Sequence, residues 1–337
     1  MSNPAVKSKQ IVADLFSVNQ RKELKNAKFS FIDLFAGIGG TRMGFERNGG
    51  ECVFTSEWDQ HCQKTYQANF GEIPYGDITK IKENEIPNFD ILVAGFPCQP
   101  FSSIGKRQGF EHATQGTLFY DVLRIMKHHQ NPAFLLENVP GLTTHDEGKT
   151  FDVILKSLDE AGYDVFYNIL NASDFAVPQH RKRIYIVGFK KELLKKKGVS
   201  FGFPEGKKKK VFINKFLEKN VSGYSISKHL QKTYLFKVKD GRPAILDENS
   251  EIQVKTLVST YHKIQRLTGT FVKDGETGIR LLSENECKAI MGFPKNFKIP
   301  VSRTQMYRQM GNSVVVPVIE AVAKEIVKTL EMAKVTK

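Results

Sequence analysis

No run of eighteen or more apolar residues occurs in the 337-residue chain, which excludes a membrane-spanning helix. The N-terminal arm, residues 1–28, is polar and lysine-bearing and lacks the apolar centre of a signal peptide, so secretion is not expected. Cysteine is scarce: Cys52, Cys62, Cys98 and Cys287 stand far apart, with no C-x-x-C pair. Neither a disulfide framework nor a zinc site has the spacing it needs, so no metal is expected and a reducing, cytoplasmic setting is. Tryptophan occurs once, at Trp58. Internal repeats are absent, as is low complexity beyond a few lysine clusters.

What is present is the composition of an ordinary folded protein, 40% hydrophobic, 11% aromatic and 26% charged, neither disordered nor collagenous. The length admits one large domain or two unequal ones. Acids number 36 against 50 Lys plus Arg, a net charge of +14. Fifteen lysines and four acids fall between Lys190 and Asp240, so this one segment holds +11 of that excess. Such a segment has the electrostatic footprint of contacts to a phosphate backbone, and a solvated lysine-rich surface is the alternative.

Phe29-Ser-Phe-Ile-Asp-Leu-Phe35 reads as a buried strand running into a glycine turn, Ala36-Gly37-Ile38-Gly39-Gly40, before a helix that begins near Thr41. Apolar runs at Cys52 to Thr55, Asp90 to Gly95 and Ala133 to Leu136 alternate with helix-length segments such as Gln60 to Asn69 and Leu118 to His129. The alternation predicts an α/β fold with a doubly wound, mostly parallel sheet. Asp164 to Asn171 and Arg183 to Phe189 suit an antiparallel hairpin at its edge. Residues 29–190 thus read as one domain, and 191–300, irregular and rich in turn signals, as a second, smaller one. Ser283-x-x-Glu286 is a capping box that starts a short helix ending before Gly292. After Gly311-Asn312-Ser313, apolar residues at Val314, Val315, Val318, Ile319, Val322, Ile326 and Leu330 fit a helix with one face on a core. The segment 301–337 is therefore expected to return to the first domain.

The glycine turn has the spacing G-x-G-G, short of the full dinucleotide fingerprint, and an acid, Glu57, follows Gly37 by twenty residues. An acid at the end of a second strand can bind ribose hydroxyls. Trp58 can offer an aromatic face to an adenine, or it is a core residue. Asp77, placed where a third strand should end, can accept a hydrogen bond from an adenine amino group, or it caps a helix. The set Gly37, Gly39, Glu57, Trp58 and Asp77 describes an adenosine-type pocket without a phosphate signature, which leaves a nucleotide and S-adenosylmethionine both open. Cys98, in Gly95-Phe-Pro-Cys-Gln-Pro-Phe-Ser102, follows a buried strand in a loop bracketed by Pro and Gly, the place where an α/β fold exposes a reactive side chain; a nucleophile is one reading and a cysteine kept for packing the alternative. Glu137, in Phe134-Leu-Leu-Glu-Asn-Val-Pro140, ends another apolar strand at the same sheet edge. Partial burial there would raise its pKa and suit it to donate a proton; an exposed loop acid is the alternative.

At these residues the sequence resembles the cytosine-5 DNA methyltransferases, in particular the single-chain bacterial restriction-modification enzymes, from Phe29 to about Ile326. The likeness rests on Asp33-Leu-Phe-Ala-Gly-Ile-Gly-Gly40, Glu57-Trp58, Gly95-Phe-Pro-Cys-Gln99, Gly116-Thr-Leu-Phe119, Glu137-Asn-Val139, Gln179-x-Arg181-x-Arg183 and Gln309-x-Gly-Asn-Ser-Val-Val315, in the family's order. It implies that Cys98 attacks carbon 6 of a target cytosine and so makes carbon 5 nucleophilic toward the methyl group of S-adenosylmethionine. Glu137 would hold the ring nitrogen through a proton, Arg183 the carbonyl oxygen, and Arg181 would support the site or a phosphate. The resemblance likewise carries Phe35, Gly37, Ile38, Gly39, Gly40, Glu57, Trp58, Asp77, Ile78, Pro97, Leu118, Asn312 and Ser313 to the S-adenosylmethionine pocket. It carries Gln99, Ser102, Thr256 and Leu257 to double-stranded DNA, within or beside a target recognition domain at about 191–278. A flipped-out cytosine, a functional pairing with a restriction endonuclease and monomeric action are expected on the same ground.

The sequence also departs from the family. Pro100 stands where alanine is frequent, Glu111-His-Ala-Thr-Gln-Gly116 lacks the usual acid and arginine, and Ser283-Glu-Asn-Glu286 replaces a Thr-Pro-Arg-Glu pattern. An RNA methyltransferase of the same fold is the nearest rival, but its nucleophile motif usually reads Pro-Pro-Cys-Gln, whereas Phe96 precedes Pro97-Cys98 here. A DNA-binding relative without activity would be expected to lose Cys98, Glu137 or Arg183, and a nicotinamide dehydrogenase offers Cys98 no role. Arg242, Tyr261, His262, Gln265 and Arg266 are candidate base readers that the sequence does not rank.

Overall fold

The computed structural model describes residues 27–97, 118–195, 198–207 and 210–334. Cys98, Gln99, Ser102, the 111–115 segment and most of the N-terminal arm lie outside the described residues. Strands β1 (Phe29–Leu34), β2 (Gly50–Ser56), β3 (Ile91–Ala94), β4 (Ala133–Asn138), β5 (Tyr163–Asn171) and β6 (Lys182–Lys190) form one sheet in the order β2-β1-β3-β4-β6-β5. The first four are parallel, and β6 runs antiparallel to both β4 and β5. This is the predicted doubly wound sheet with its antiparallel edge hairpin.

The central strands are buried on both faces, and their pleat divides the core in two. Phe31, Val93, Leu135 and Val187 point to one side, and Ile32, Leu92, Leu136 and Ile186 to the other. Helices α1 (Gly40–Glu46), α2 (Gln60–Phe70), α3 (Leu118–His129) and α4 (Lys149–Glu160) connect the strands. The longer helices of the second half are α5 (Glu284–Met291), α6 (Arg303–Asn312) and α7 (Val316–Lys334). The last of these returns to α1, as the apolar spacing predicts. Gly44 lets the two helices meet, since a Cβ there would lie 2.5 Å from Ile319 Cγ2, and Asn48 Nδ2 donates to the Glu320 carbonyl at 3.0 Å.

One expectation needs correction. No strand ends at Asp77; a single bridge joins Ser56 to Tyr75 beside β2, and the next strand comes only at Ile91. Pro74 has no N–H to give a ladder and Gly76 no side chain to pack, so pairing stops after one residue. The 191–300 segment sends Ile213, Leu235, Phe271 and Leu282 into the cluster that contains Phe31 and Val187. Its only sheet among the described residues pairs two-residue strands, β7 (Ile245–Leu246) and β8 (Phe271–Val272).

Asp33, near the end of β1, is 1% exposed, and neither carboxyl oxygen has a hydrogen-bond partner among the described residues. Burial pushes its pKa up to about 8, against the pull of the Arg42 guanidinium. Between its unfolded and folded pKa the folded state holds a proton that the unfolded state releases, so the contribution of Asp33 to stability is greatest below the ordinary aspartate pKa and falls as pH rises toward 8. Asp33→Asn is expected to flatten that decline; urea midpoints at pH 5, 6.5 and 8 would check it, and equal slopes in both proteins would contradict it.

Candidate functional site

The sheet order leaves a switch point between β1 and β3, where connections leave in opposite directions and ligands bind at the carboxyl ends of strands. The loop after β1 occupies it. Phe35 takes a left-handed backbone (φ 58°), a strained conformation for a residue with a Cβ and one that recurs at ligand sites. Gly39 (φ 84°) begins α1, and a side chain there would strike the Phe70 ring. Glu57, just past β2, closes the turn: its carboxylate accepts from Gly37 N and Asp59 N, both at 2.8 Å. Burial lifts its pKa, and those two amides pull it back. Trp58 is 69% exposed, which removes the core alternative. Asp77 is both a cap and a wall residue: it accepts from Thr79 N at 3.1 Å and Thr79 Oγ1 at 2.8 Å, and it lines the cavity described next.

That cavity has a volume of about 460 Å³, within the range of roughly 300–1,000 Å³ usual for small-molecule sites. Phe35, Gly37, Ile38, Gly40, Glu57, Trp58, Asp77, Pro97, Leu118, Asn312 and Ser313 all line it. Gly39 and Ile78 do not. Gly39 is packed against Phe70 and Tyr66, and Ile78, 3% exposed, belongs to the core beneath. Their part is to shape the loop and floor. The sequence reading missed Cys62, from α2, and Gln309, from α6, both on the wall; Gln309 stood within the Gln309-x-Gly-Asn-Ser motif, where the Asn and Ser drew the attention.

The same cavity is lined by Glu137, Arg181 and Arg183. Arg183 Nε lies 3.0 Å from Glu137 Oε1. Burial raises the Glu137 pKa and the two arginines oppose the rise, so the exposed-acid alternative fails. Asn138 Nδ2 donates to the Phe96 carbonyl at 3.0 Å and so anchors the start of the loop that leads to Cys98. Arg181 is 3% exposed and donates to the carbonyls of Leu257 (2.9 Å), Gly311 (3.0 Å) and Ser313 (2.7 Å). A guanidinium so occupied is a strut between three segments, which corrects the phosphate-contact alternative. Gln179 repeats the device, accepting from Leu257 N at 2.8 Å and donating to the Ile290 carbonyl at 3.1 Å. Thr256 Oγ1 donates to the His180 carbonyl at 2.7 Å. Leu257 is only 3% exposed, so this element is fixed to the catalytic half by its backbone and the Leu257 side chain is packed away.

The structure also ranks the five candidate base readers. Tyr261 is buried beneath Leu282, whose N–H donates to its hydroxyl at 2.9 Å. Arg266 donates to the carbonyls of Leu235 (2.9 Å) and Arg242 (2.8 Å) and pairs with Asp240. Gln265 accepts from Thr268 Oγ1 at 2.7 Å. His262 is half-buried. Arg242 keeps a side chain that is 62% exposed. Of the lysine-rich segment, Lys190 and Lys191 bond back to the Ala161 and Asp159 carbonyls. Lys207, Lys210, Lys215, Lys228, Lys232, Lys237 and Lys239 are exposed and enter no ion pair among the described residues. No group of three or more metal-ligating side chains occurs among the described residues, and none of their helices is long and apolar enough to cross a membrane.

Comparison with known proteins gives a consistent picture. A sequence profile described as C-5 cytosine-specific DNA methylase matches residues 29–328. The type II methyltransferase M.MspI of Moraxella sp. is 57% identical over 324 residues, covering 96% of this chain and 76% of that protein. The type II methyltransferase M.BsuFI of Bacillus subtilis is 59% identical over 318 residues, covering 94% and 76%. The solved structure of the Dnmt2 methyltransferase of S. pombe matches with a TM-score of 0.70 at 19% identity, over 91% of this chain and all 100% of that one, a likeness of fold.

Proposed function

The chain belongs to the C-5 cytosine-specific DNA methylases, as a DNA methyltransferase of the type II restriction-modification kind, and from that premise we propose how its residues divide the work. The observation that carries the proposal is that one cavity is lined both by Phe35, Glu57, Trp58 and Asp77 and by Glu137, Arg181 and Arg183. The first set fits S-adenosylmethionine. Glu57 and Asp77 offer acceptors to hydroxyl and amine donors, Trp58 and Phe35 offer ring faces, and none of these four carries the positive charge that suits a string of phosphates. When bound, S-adenosylmethionine supplies a methyl group on a sulfonium, to which cytosine carbon 5 can bond.

The second set fits one edge of a cytosine. A protonated Glu137 can donate to the ring nitrogen while Arg183, already 3.0 Å from it, donates to the adjacent carbonyl oxygen. Cys98, two residues beyond the Phe96 whose carbonyl Asn138 holds, adds its thiolate to carbon 6, which moves electron density onto carbon 5. After methylation the carbon 5 proton leaves to a base, the electrons of that C–H bond reform the ring double bond, and Cys98 departs with the pair it brought. Addition and elimination divide one difficult substitution into easier steps. A base stacked in a duplex cannot reach such a cavity, so the cytosine is turned out of double-stranded DNA, with the exposed lysines of 207–239 holding phosphates. We assign residues 29–190 with 301–337 to catalysis and about 191–300 to target recognition, in a monomer acting in the cytoplasm and paired in function with a restriction endonuclease.

Glu137→Gln keeps the shape and loses the transferable proton. It is expected to lower kcat by about a hundredfold while leaving the Kd for S-adenosylhomocysteine within a factor of about two. Single-turnover methyl transfer and calorimetry would check this, and a variant with wild-type kcat would overturn the assignment.

A further inference from the structure

Between Lys190 and Pro300 the chain holds only three arginines, Arg242, Arg266 and Arg280, and two of them are engaged inside the fold. The Arg280 side chain is wholly buried against Glu286 and Asp274. Arg266, with a side chain 13% exposed, donates to the carbonyls of Leu235 (2.9 Å), Val238 (3.2 Å) and Arg242 (2.8 Å) and pairs with Asp240. It thereby fixes the course of the loop from Leu235 to Arg242. The Arg242 side chain stands on the outside of that loop, 62% exposed. Its one ion pair among the described residues is with Asp240: Nη2 lies 3.3 Å from Oδ2, while the Arg242 backbone N–H donates to Oδ1 at 3.0 Å.

Asp240 is the single acid between Lys219 and Leu246, a stretch with five lysines and Arg242. A lone carboxylate among these cations works against phosphate binding; its physical role is to hold the two arginines. The bond from Arg266 keeps its pKa down at about 2, so it is charged at neutral pH. The loop is also tied to the catalytic cavity. Lys255 Nζ donates to the Leu267 carbonyl at 2.9 Å, next to Arg266, and the following Thr256 and Leu257 are held by His180, Gln179 and the cavity residue Arg181. Arg242 is therefore presented at a place fixed relative to the cavity. A phosphate contact needs only charge, which the neighbouring lysines supply, whereas a guanidinium held by a carboxylate has a direction as well. Its planar fork matches O6 and N7, the two acceptors that guanine alone presents together in the major groove. We propose that Arg242 reads a guanine of the target sequence through O6 and N7, with Asp240 as the positioning residue that braces it. This rests on the assignment of 191–300 to target recognition and adds to it a residue and the base it selects.

The sequence methylated by the wild type would first be mapped on duplex DNA, and each guanine in either strand then replaced singly by 7-deazaguanine, which keeps O6 and turns the N7 acceptor into C–H. Wild type, Arg242→Ala, Asp240→Asn and the double variant would be compared as full chains by kcat/KM for methyl transfer and by Kd across a salt series. The wild type is expected to lose about tenfold in kcat/KM at one guanine position. Arg242→Ala is expected to lose about tenfold on the unmodified duplex and to change by no more than about twofold when that guanine is replaced. Asp240→Asn should blunt the response at the same position by a smaller factor and add nothing in the Arg242→Ala background, where a merely structural role would add a loss of its own. Equal weakening of every duplex by Arg242→Ala, with the salt slope reduced by about one, would mark a phosphate contact and overturn the proposal. So would an Arg242→Ala protein that keeps the wild-type response at every guanine, or a wild type that responds to none, and both would leave target recognition by 191–300 standing. A wild type that methylates duplexes without sequence preference would overturn both readings.

Discussion

Cys98→Ser is expected to abolish methyl transfer, with a loss on the order of 10⁴–10⁶-fold, the scale on which a covalent nucleophile fails when removed. A serine hydroxyl at neutral pH has almost no anion to offer carbon 6, and Glu137 is engaged with Arg183 at 3.0 Å. The remaining cysteines cannot substitute. Cys287 is buried in the core, and burial pushes the thiols of Cys52 and Cys62 upward in pKa, away from the reactive form. Binding should survive, because Phe35, Glu57, Trp58 and the lysines are untouched. A filter assay for transferred methyl, beside a gel shift on the same DNA, would read both quantities. Transfer above about one per cent of wild type would contradict covalent catalysis by Cys98.

The second large effect concerns stability. Arg280→Leu is expected to cost about 3–5 kcal/mol, the usual penalty for removing one partner of a buried ion pair. The Arg280 side chain is wholly buried. Its NH1 donates to Glu286 Oε2 at 2.7 Å and its NH2 to Glu286 Oε1 at 2.9 Å, a two-pronged pair. Nε donates to Asp274 at 2.8 Å, and the remaining N–H groups reach the carbonyls of Leu281 (3.1 Å) and Glu218 (2.9 Å). All the donors of the guanidinium are thereby used. The surrounding segment has only two-residue strands among its described residues, so this hub does the work that a sheet does elsewhere. Urea unfolding of the variant would give the difference, and a loss under about 1 kcal/mol would show that the network is dispensable. Replacing Arg280, Asp274 and Glu286 together by apolar residues should recover part of the loss, since no charge is then left unpaired.

The catalytic half was legible because its signals are local. Phe29 to Phe35 is apolar enough to be buried on both faces, the glycine turn follows at once, and Glu57 falls where the second strand must end. The capping box at Ser283 was equally plain, and it forms, with Ser283 N donating to Glu286 Oε2 at 2.7 Å. What could not be read was the second use of the same carboxylate. The pairing of Glu286 with Arg280 depends on side chains folding over one another, and no periodicity records it. The supposed strand before Asp77 failed for a local reason, Pro74, that the alternation had masked. For Arg181 the motif left site support and a phosphate contact both open, and the three carbonyls around it show a strut.

The most direct test is to incubate the purified protein with tritiated S-adenosylmethionine and a long mixed-sequence duplex DNA, with tRNA in parallel, and to identify the methylated base and its sequence context. The account predicts 5-methylcytosine at one position of one short duplex sequence and no label in tRNA. Label on a ring or amino nitrogen, label scattered without sequence preference, or label confined to tRNA would contradict it.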